Sequence, residues 1–241
     1  MRSLNLLFLT KTKNKKKVPF AAEYGDQWIY ADDTGLEAGS QLSDLLNHQQ
    51  AKDWVLDMAQ FALASFLDTN SSADWRNGFV IGSKYTRADV FRILGHPVNP
   101  VAQNVGGYLK DEITCSCPIF VTYHKADGIS DTTRYEDRFL DPSTLHWFTK
   151  SNRSLQSPEI PFFLGVARGG ENRLPLFVKK SDDEGLNFYY LGDITPLEES
   201  FLEDRMKDED KPEGVPVVRM DMKLHDPVRP ELYQYFVETG M

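Results

Sequence analysis

The sequence predicts an α+β fold in which a curved antiparallel sheet or barrel-like core is flanked by short helices and preceded by an N-terminal helical extension. Residues 217–224 alternate apolar and polar side chains, as one half-buried strand does. Residues 176–180 and 187–191 are typical of two strands joined by a polar, glycine-containing loop. Apolar positions from 42 to 66 recur with helical spacing. These observations place the sheet at residues 80–225 and a helix before it.

The first part of the chain, residues 1–77, is predicted to be an irregular and helical extension. Its helix begins at Ser40, a good N-cap residue, and has a break near Asn47. The polar stretch at 68–73 ends this helix and resembles a linker. Residues 78–241 are therefore expected to form a separate β-rich domain.

A short helix is predicted after Thr86, which can act as N-cap while Asp89, three residues later, bonds back to it. Gly95 is placed to end that helix. This arrangement is expected to place Arg87 and Arg92 on the outer side of the helix.

The remaining elements follow from runs of apolar residues and from prolines. Three runs are predicted strands: residues 105–110, 118–123 and 162–167. Short helices are expected to start at Asp141–Pro142 and at Pro230. The acidic stretch 198–214 is predicted to be a surface loop with one helical turn.

Composition and charge distribution limit the functions that this chain can have. The chain has 241 residues and a net charge of -9, distributed as -2 over residues 1–73, +3 over 74–180 and -10 over 181–241. A mildly positive centre beside an acidic tail permits nucleic-acid binding without indicating it. No apolar run approaches the roughly 20 residues that span a bilayer, so no membrane contact is expected. The two cysteines are too close for a disulfide framework, which favours a cytoplasmic protein.

Motifs of common enzymes are missing from the sequence. Its paired glycines lack the Gly-Lys-Ser/Thr ending of a phosphate-binding loop, and its serines lack a Gly-x-Ser-x-Gly elbow. No catalytic residue and no cofactor are expected. Cys115, Cys117, His124 and His146 could supply four zinc ligands, with both thiols on one face of an extended segment. Cys-x-Cys is not the usual zinc spacing, so no metal is predicted and the thiols are expected to be buried.

The stretch from residue 119 to 141 is dense in charged groups with interleaved aromatic residues. In one interpretation it is a metal-dependent nuclease site, with Asp131, Glu136 or Asp137 binding the metal and Lys125 positioning the attacking water. In the favoured interpretation it belongs to a nucleic-acid-binding face, where basic side chains contact phosphates and an aromatic or histidine ring stacks on a base. The residues of that face are Tyr123, His124, Lys125, Arg134, Arg138, Trp147, Lys150 and Arg153.

Several longer segments resemble a known family: YTRADVFRILG at 85–95, CPIFVTYHK at 117–125, ISDTTRYEDRF at 129–139, PSTLHWF at 142–148, and LFVKK at 176–180 with FYYLG at 188–192. Together they resemble an uncharacterised C-terminal domain of bacterial superfamily 2 (DEAD/DEAH-type) helicases, many of which also carry a phospholipase-D-like nuclease domain. The resemblance spans about residues 80–238. The last two segments are also similar to tail domains of modification-dependent restriction enzymes, which implies a barrel that inspects bases.

The resemblance implies a DNA-handling accessory module associated with restriction or phage-defence helicases. We therefore expect a non-enzymatic nucleic-acid-binding module that acts on DNA, with a helicase or nuclease subunit as a possible partner. The chain lacks the helicase motor and the nuclease domain, so it is expected to be a stand-alone copy, a remnant or one subunit of a split system. A metal-dependent nuclease and a protein-interaction adaptor using the acidic tail are the alternatives.

Overall fold

The computed structural model describes residues 10–13, 16–19, 28–33, 35–96, 100, 105–124, 137–208 and 211–238. The chain divides into two compact units, of which one contains residues 1–80 and 91–101 and the other contains residues 81–90 and 102–241. Five α-helices lie in the described residues: α1 (Ser40–Leu46), α2 (Gln49–Ser71), α3 (Arg87–Ile93), α4 (Ile160–Ala167) and α5 (Pro230–Val237). None of these helices combines the length and the apolar character needed to cross a bilayer.

The first unit contains three small hairpins and the helices α1 and α2. Its strands are β1 (Thr10–Lys13), β2 (Lys16–Pro19), β3 (Ile29–Asp32), β4 (Gly35–Ala38), β5 (Trp75–Arg76) and β6 (Phe79–Val80), and each pairs antiparallel with its neighbour in sequence. Asn77 and Gly78 join β5 to β6 with φ angles of 52° and 101°, the left-handed conformations that a tight hairpin requires. The expectation of irregular structure before residue 40 is therefore wrong for the described residues.

The two helices of this unit follow the predicted pattern. The predicted break near Asn47 is confirmed, because Asn47 and His48 separate α1 from α2. Gly39, and not Ser40, occupies the N-cap of α1. Helix α2 continues to Ser71, so most of the predicted linker at 68–73 is helical. The division into an extension at 1–77 and a domain at 78–241 stays a prediction.

The second unit is built on an eight-stranded sheet. Its strands are β7 (Lys84–Thr86), β8 (Ile119–Thr122), β9 (Arg138–Asp141), β10 (Thr144–Phe148), β11 (Pro175–Lys179), β12 (Asn187–Pro196), β13 (Leu202–Asp208) and β14 (Lys211–Leu224). The order is β8-β11-β12-β14-β10-β9, with β7 paired to β12 and β13 paired to β14. All pairs are antiparallel except β8 with β11.

The α+β class and the mainly antiparallel sheet are confirmed, and the barrel alternative is wrong. A barrel needs its two outermost strands to pair with each other. Here the path ends at β8 on one side and at β9 on the other, and these strands do not pair over the residues that the structure describes. The sheet is therefore open.

One face of this sheet carries the main hydrophobic core. Val218, Met220, Met222 and Leu224 of β14 are buried there as the alternation predicted, while Lys223 is exposed. Buried residues of α4 and α5 belong to the same cluster, including Phe163 and Phe236. The helix predicted from Pro230, the strand at 118–123 and the hairpin of β11 with β12 are confirmed.

Four predicted elements are wrong. Residues 162–167 lie in α4, since a short apolar run does not distinguish a buried strand from a buried helix. Residues 105–110 contain a turn at Gly106–Gly107, after which Tyr108 makes one isolated bridge to Ile119. The residues after Asp141 form the turn between β9 and β10, where the Asp141 carboxylate accepts the Ser143 amide at 2.7 Å. The one helical turn expected at 198–214 is confirmed at Glu198–Ser200, but the rest of the expected loop consists mainly of β13 and the start of β14.

Candidate nucleic-acid interface

The structure divides the predicted binding residues among three places. Lys125 and Arg134 lie outside the described residues, as do Asp131 and Glu136 of the nuclease alternative. Tyr123 and His124 follow β8, Arg138 begins β9 as an exposed residue, and Trp147, Lys150 and Arg153 lie in or after β10.

Tyr123 and His124 lie beside α5, and both side chains make contacts with other residues there. The Tyr123 ring stacks on Phe139 with centroids 5.6 Å apart, and burial raises the pKa of its hydroxyl. The His124 Nε2 donates to the carbonyl oxygen of Phe236 at 2.8 Å. The His124 contact joins the end of β8 to α5 and the Tyr123 contact joins it to β9, so both side chains have a structural role in this arrangement.

Arg153, which is about a third exposed, is held in a polar network with the buried residues Glu159 and Tyr108. Its Nε donates to Glu159 at 2.5 Å, and the Tyr108 hydroxyl donates to the same carboxylate oxygen at 2.7 Å. Burial opposes ionisation of Glu159, but the hydrogen bonds from Tyr108, its own backbone amide and Arg153 outweigh it, and the pKa of Glu159 is lowered. The carboxylate is ionised at neutral pH and holds Arg153 in place.

The two remaining predicted residues, Trp147 and Lys150, line a cleft of about 270 Å³ within the second unit. The cleft combines cationic, aromatic, hydroxyl and carboxylate groups from segments that are distant in sequence. Its lining residues are Arg87, Gly106, Gly107, Tyr108, Phe120, Thr122, Asp137, Trp147, Phe148, Thr149, Lys150 and Met206. The cleft brings two of the predicted binding residues, Trp147 and Lys150, together with groups from other segments of the chain, and the predicted face at 123–153 stays a prediction.

Arg87 reaches the cleft because the start of α3 is held by a capping box. The Asp89 amide donates to Thr86 Oγ1, and the Thr86 amide donates to Asp89 Oδ2, both at 3.2 Å. The predicted capping box is confirmed. The predicted outward orientation of Arg87 is wrong, because its guanidinium lies 4.8 Å from the ring centroid of Phe188 and 5.2 Å from that of Phe120.

The Arg87 guanidinium is partly removed from water. Its Nε is buried and makes no hydrogen bond with the residues that the structure describes. Burial lowers the pKa of Arg87, although Asp182 opposes the shift. The side chain nevertheless stays charged at neutral pH, since an arginine remains protonated in proteins. A buried donor without a partner is costly, so a ligand acceptor at this position would be favoured.

Lys150 enters the cleft from the other side, through space left by a glycine turn. Its Nζ lies 4.4 Å from the ring centroid of Tyr108, and burial lowers its pKa. Gly106 has a φ of +51°, and a Cβ there would come within 3.3 Å of the Lys150 side chain. A larger residue at 106 would therefore strain the backbone and crowd the lysine.

The remaining lining groups include both core side chains and polar groups that already hold hydrogen bonds. Trp147 is only 2% exposed and packs edge-on against Tyr108 and Phe163, so its indole belongs to the core. The Asp137 carboxylate accepts the backbone amide of Phe148 at 3.0 Å. The Thr149 hydroxyl accepts the Val218 amide at 2.9 Å.

The four residues of the zinc alternative do not converge. Cys115 is exposed in a turn with a φ of +48°, whereas Cys117 is buried, so the thiols do not share a face of an extended segment. His146 Nδ1 contacts the Asp221 carboxylate. Over the described part of the chain, no group of three or more His, Cys, Asp and Glu side chains is arranged to hold a metal ion.

The different burial of the two cysteines predicts selective labelling. Burial raises the pKa of the Cys117 thiol to about 12, so almost no thiolate forms at pH 8, and the surrounding core blocks access. We expect a maleimide to label one thiol per chain in the native protein and two in denaturant. Cys115→Ser should abolish native labelling and Cys117→Ser should preserve it. Fast labelling of both thiols in the native protein would contradict this placement.

The sequence comparisons identify the family. The matching family is described as a domain of unknown function, DUF3427, and it covers residues 79–236. This chain belongs to the DUF3427 family. The matched range includes every residue that lines the cleft. It nearly coincides with residues 80–238, over which the sequence resembles the C-terminal domain of superfamily 2 helicases. A comparison with curated proteins finds no match.

Two solved structures are weakly similar to this DUF3427 chain. The DNA modification-dependent restriction endonuclease AspBHI is 12% identical with a TM-score of 0.33, over 52% of this chain and 36% of that one. SUVH6 of Arabidopsis thaliana in complex with SAM is 12% identical with a TM-score of 0.39, over 66% of this chain and 29% of that one. The aligned part is about a third of the length of either structure. The site is therefore interpreted from its own residues.

Proposed function

We propose that the DUF3427 domain of this chain binds nucleic acid and that its cleft receives one nucleotide of the bound strand. The observation that carries the proposal is the pair of cations, Arg87 and Lys150, which lie against aromatic rings in one cleft. Neither cation forms a salt bridge with a carboxylate among the described residues.

The two cations are suited to phosphate. Both have pKa values lowered by burial, so each charge is poorly solvated in the free protein. An anionic oxygen would relieve that loss of solvation, and charge-assisted hydrogen bonds are about twice as strong as neutral ones. Arginine can donate two parallel hydrogen bonds to a phosphate, whereas lysine acts as a point charge.

The other lining groups are suited to a base. Tyr108, Phe120 and Phe148 line the cleft but are each at most 8% exposed, so they offer an apolar wall for a base and not an open stacking platform. The Asp137 carboxylate would repel a phosphate, but it is an acceptor for an exocyclic amino group such as that of cytosine. The expected pose therefore places the base toward Asp137 and the phosphates toward Arg87 and Lys150.

The finer assignments belong to the same proposal and rest on the family resemblance in the sequence. They are DNA as the bound polymer, a helicase or nuclease subunit as partner, a restriction or phage-defence system, and a cytoplasmic location. The domain acts as a binding module and not as an enzyme. Gene neighbourhood tests the partner, because a helicase or methyltransferase gene beside this one is the expected finding.

The binding test uses Arg87→Met and Lys150→Met, which remove one charge each and keep an apolar stem. We expect both to weaken binding to single-stranded and duplex DNA of any sequence, measured by fluorescence anisotropy at several salt concentrations. Each lost phosphate contact should reduce the slope of log affinity against log salt by about 0.9 on duplex and about 0.7 on single strands.

The matched control is Lys223→Met, which removes an exposed lysine of β14 that does not line the cleft. It should leave the slope unchanged, and thermal unfolding of all three variants should match that of the wild type. No binding at low salt, or equal slopes in all variants, would overturn the proposal. Magnesium-dependent DNA cutting that disappears in Asp137→Asn would replace it with the nuclease alternative.

A further inference from the structure

The amine of Lys150 opens into the cleft. Its Nζ lies 4.4 Å from the ring centroid of Tyr108 and forms no ion pair over the part of the chain that the structure describes. Lys179, by contrast, pairs with Asp182 at 2.8 Å. A side chain at Gly106 would place a Cβ 3.7 Å from the Lys150 Nζ, so the glycine leaves the amine uncovered. A ligand that enters the cleft can therefore reach this amine.

The surroundings of the amine favour its neutral form more than water does. Burial lowers the pKa of Lys150, and the positive charge of Arg153 lowers it further, although Cys117 and Glu159 oppose the shift. A lysine that is desolvated or lies beside another cation is a better nucleophile, because more of it carries a free electron pair. Such lysines form imines with carbonyl groups. An aldehyde is thus the functional group that this amine can bind covalently.

We propose that Lys150 captures an abasic nucleotide by forming an imine with its sugar aldehyde. The inference rests on the proposed function, which places one nucleotide of a bound strand in the cleft. When a nucleotide has lost its base, the open-chain form of its deoxyribose carries an aldehyde at C1′. That nucleotide still has its phosphate, so its contact with Arg87, the second cation of the cleft, does not require the base.

The walls of the cleft are compatible with a nucleotide that has no base. Tyr108, Phe120 and Phe148 are each at most 8% exposed, so an intact base would gain little stacking on them. The loss of the base therefore removes few contacts, whereas the imine adds a covalent bond. A site that recognises an intact base by stacking would instead present an exposed ring.

The capture step is balanced without an oxidant, a reductant or a further reactant. The ammonium of Lys150 gives up two protons to the aldehyde oxygen, which leaves as water, and a C=N double bond forms between Nζ and C1′. One proton and the positive charge stay on the nitrogen. The attraction between this cation and the Tyr108 ring is therefore retained in the adduct. Addition of water reverses the step.

The test uses two aldehyde probes, 2-deoxyribose 5-phosphate and a single-stranded oligonucleotide with one abasic site. Each is incubated with the full chain and reduced with sodium cyanoborohydride, which converts an imine to a stable amine. Peptide mass spectrometry then locates the adduct. We expect both probes to modify Lys150 of the wild type, and this mapping does not depend on the folding of any variant.

Lys150→Arg keeps the charge but forms no imine, because a guanidinium stays protonated, so it should lose at least about nine-tenths of the adduct per chain. The matched control is Lys223→Arg, which makes the same exchange at an exposed lysine outside the cleft and should keep the adduct. The buried thiol of Cys117 should stay unreactive to maleimide in both variants, which shows that they are folded.

Binding of undamaged DNA to the wild type separates this inference from the proposed function. If undamaged DNA binds and neither probe modifies Lys150, imine capture is overturned and the proposed function stands. If the sugar phosphate modifies Lys150 but no DNA binds, the proposed function is overturned, and capture from a bound strand with it. An adduct spread over exposed lysines, or one that persists in Lys150→Arg, also overturns the capture.

Discussion

Replacing Trp147 by alanine is expected to lower the free energy of unfolding by about 3–5 kcal/mol, the range seen when large aromatic residues are truncated in a core. The indole is 2% exposed, and its ring centroid lies 5.2 Å from that of Tyr108 and 5.6 Å from that of Phe163. Truncation would leave a cavity beneath the cleft and remove two edge-to-face contacts. Urea unfolding monitored by far-UV circular dichroism measures the change.

Phe148→Ala is a useful companion, because Phe148 is adjacent in β10, also lines the cleft and is 8% exposed. If Trp147 stacks on a base, as the sequence alone suggested, Trp147→Ala should instead weaken binding with an unchanged salt slope and unchanged stability. A stability loss below about 1 kcal/mol would contradict the core position, since that is far less than a buried tryptophan contributes.

Replacing Arg173 by methionine is expected to cost about 1–3 kcal/mol, because it removes the charged partner of the Asp193 carboxylate, which is only 11% exposed. Arg173 Nε and Nη2 donate to the two oxygens of Asp193 at 2.8 and 3.1 Å, and the Tyr190 hydroxyl donates to the same carboxylate at 3.0 Å. Burial alone would lower the pKa of Arg173, but its pairing with Asp193 raises it. The pair joins the segment just before β11 to Asp193 in β12.

Arg168→Met is the matched control, because Arg168 also donates two hydrogen bonds to one carboxylate, that of Glu198. Both side chains of that pair are largely exposed, at 62% and 48%. An exposed ion pair contributes about 0–1 kcal/mol, so the control should change the midpoint of urea unfolding little. Equal losses of unfolding free energy in the two arginine variants would show that the lower exposure of the Arg173 pair has no energetic consequence.

The elements that the sequence predicted correctly have causes within a few residues. The capping box of α3 needs only Thr86 and Asp89 in the same turn, and the alternation in β14 needs only side chains two residues apart. The break at Asn47 is likewise local. The Asn77–Gly78 hairpin could have been predicted from the same kind of signal, because Asn-Gly is a strong marker of a two-residue turn.

The candidate site could be predicted only in part. Lys150 and Trp147 were identified, but the cleft also needs Arg87, Gly106 and Phe120, which are 30 to 63 residues away from Lys150. In the sequence, the Gly106–Gly107 pair was considered only as a possible phosphate-binding loop, and it lacks the residues that such a loop needs. Its actual effect, room for the Lys150 side chain, depends on a contact across 44 positions of the chain.

By itself, the sequence determined the α+β class, the hairpin of β11 with β12, the capping box of α3 and the start of α5, because these follow from periodicity and from the preferences of near neighbours. Only the tertiary structure decided that residues 160–167 form a helix, that the sheet stays open, and that Arg153 pairs with Glu159 while Arg87 turns inward. Each of these outcomes depends on which distant surface covers the residue. Burial changes the free energy of an apolar or charged side chain by several kcal/mol, whereas local propensities change it by less than about 1 kcal/mol.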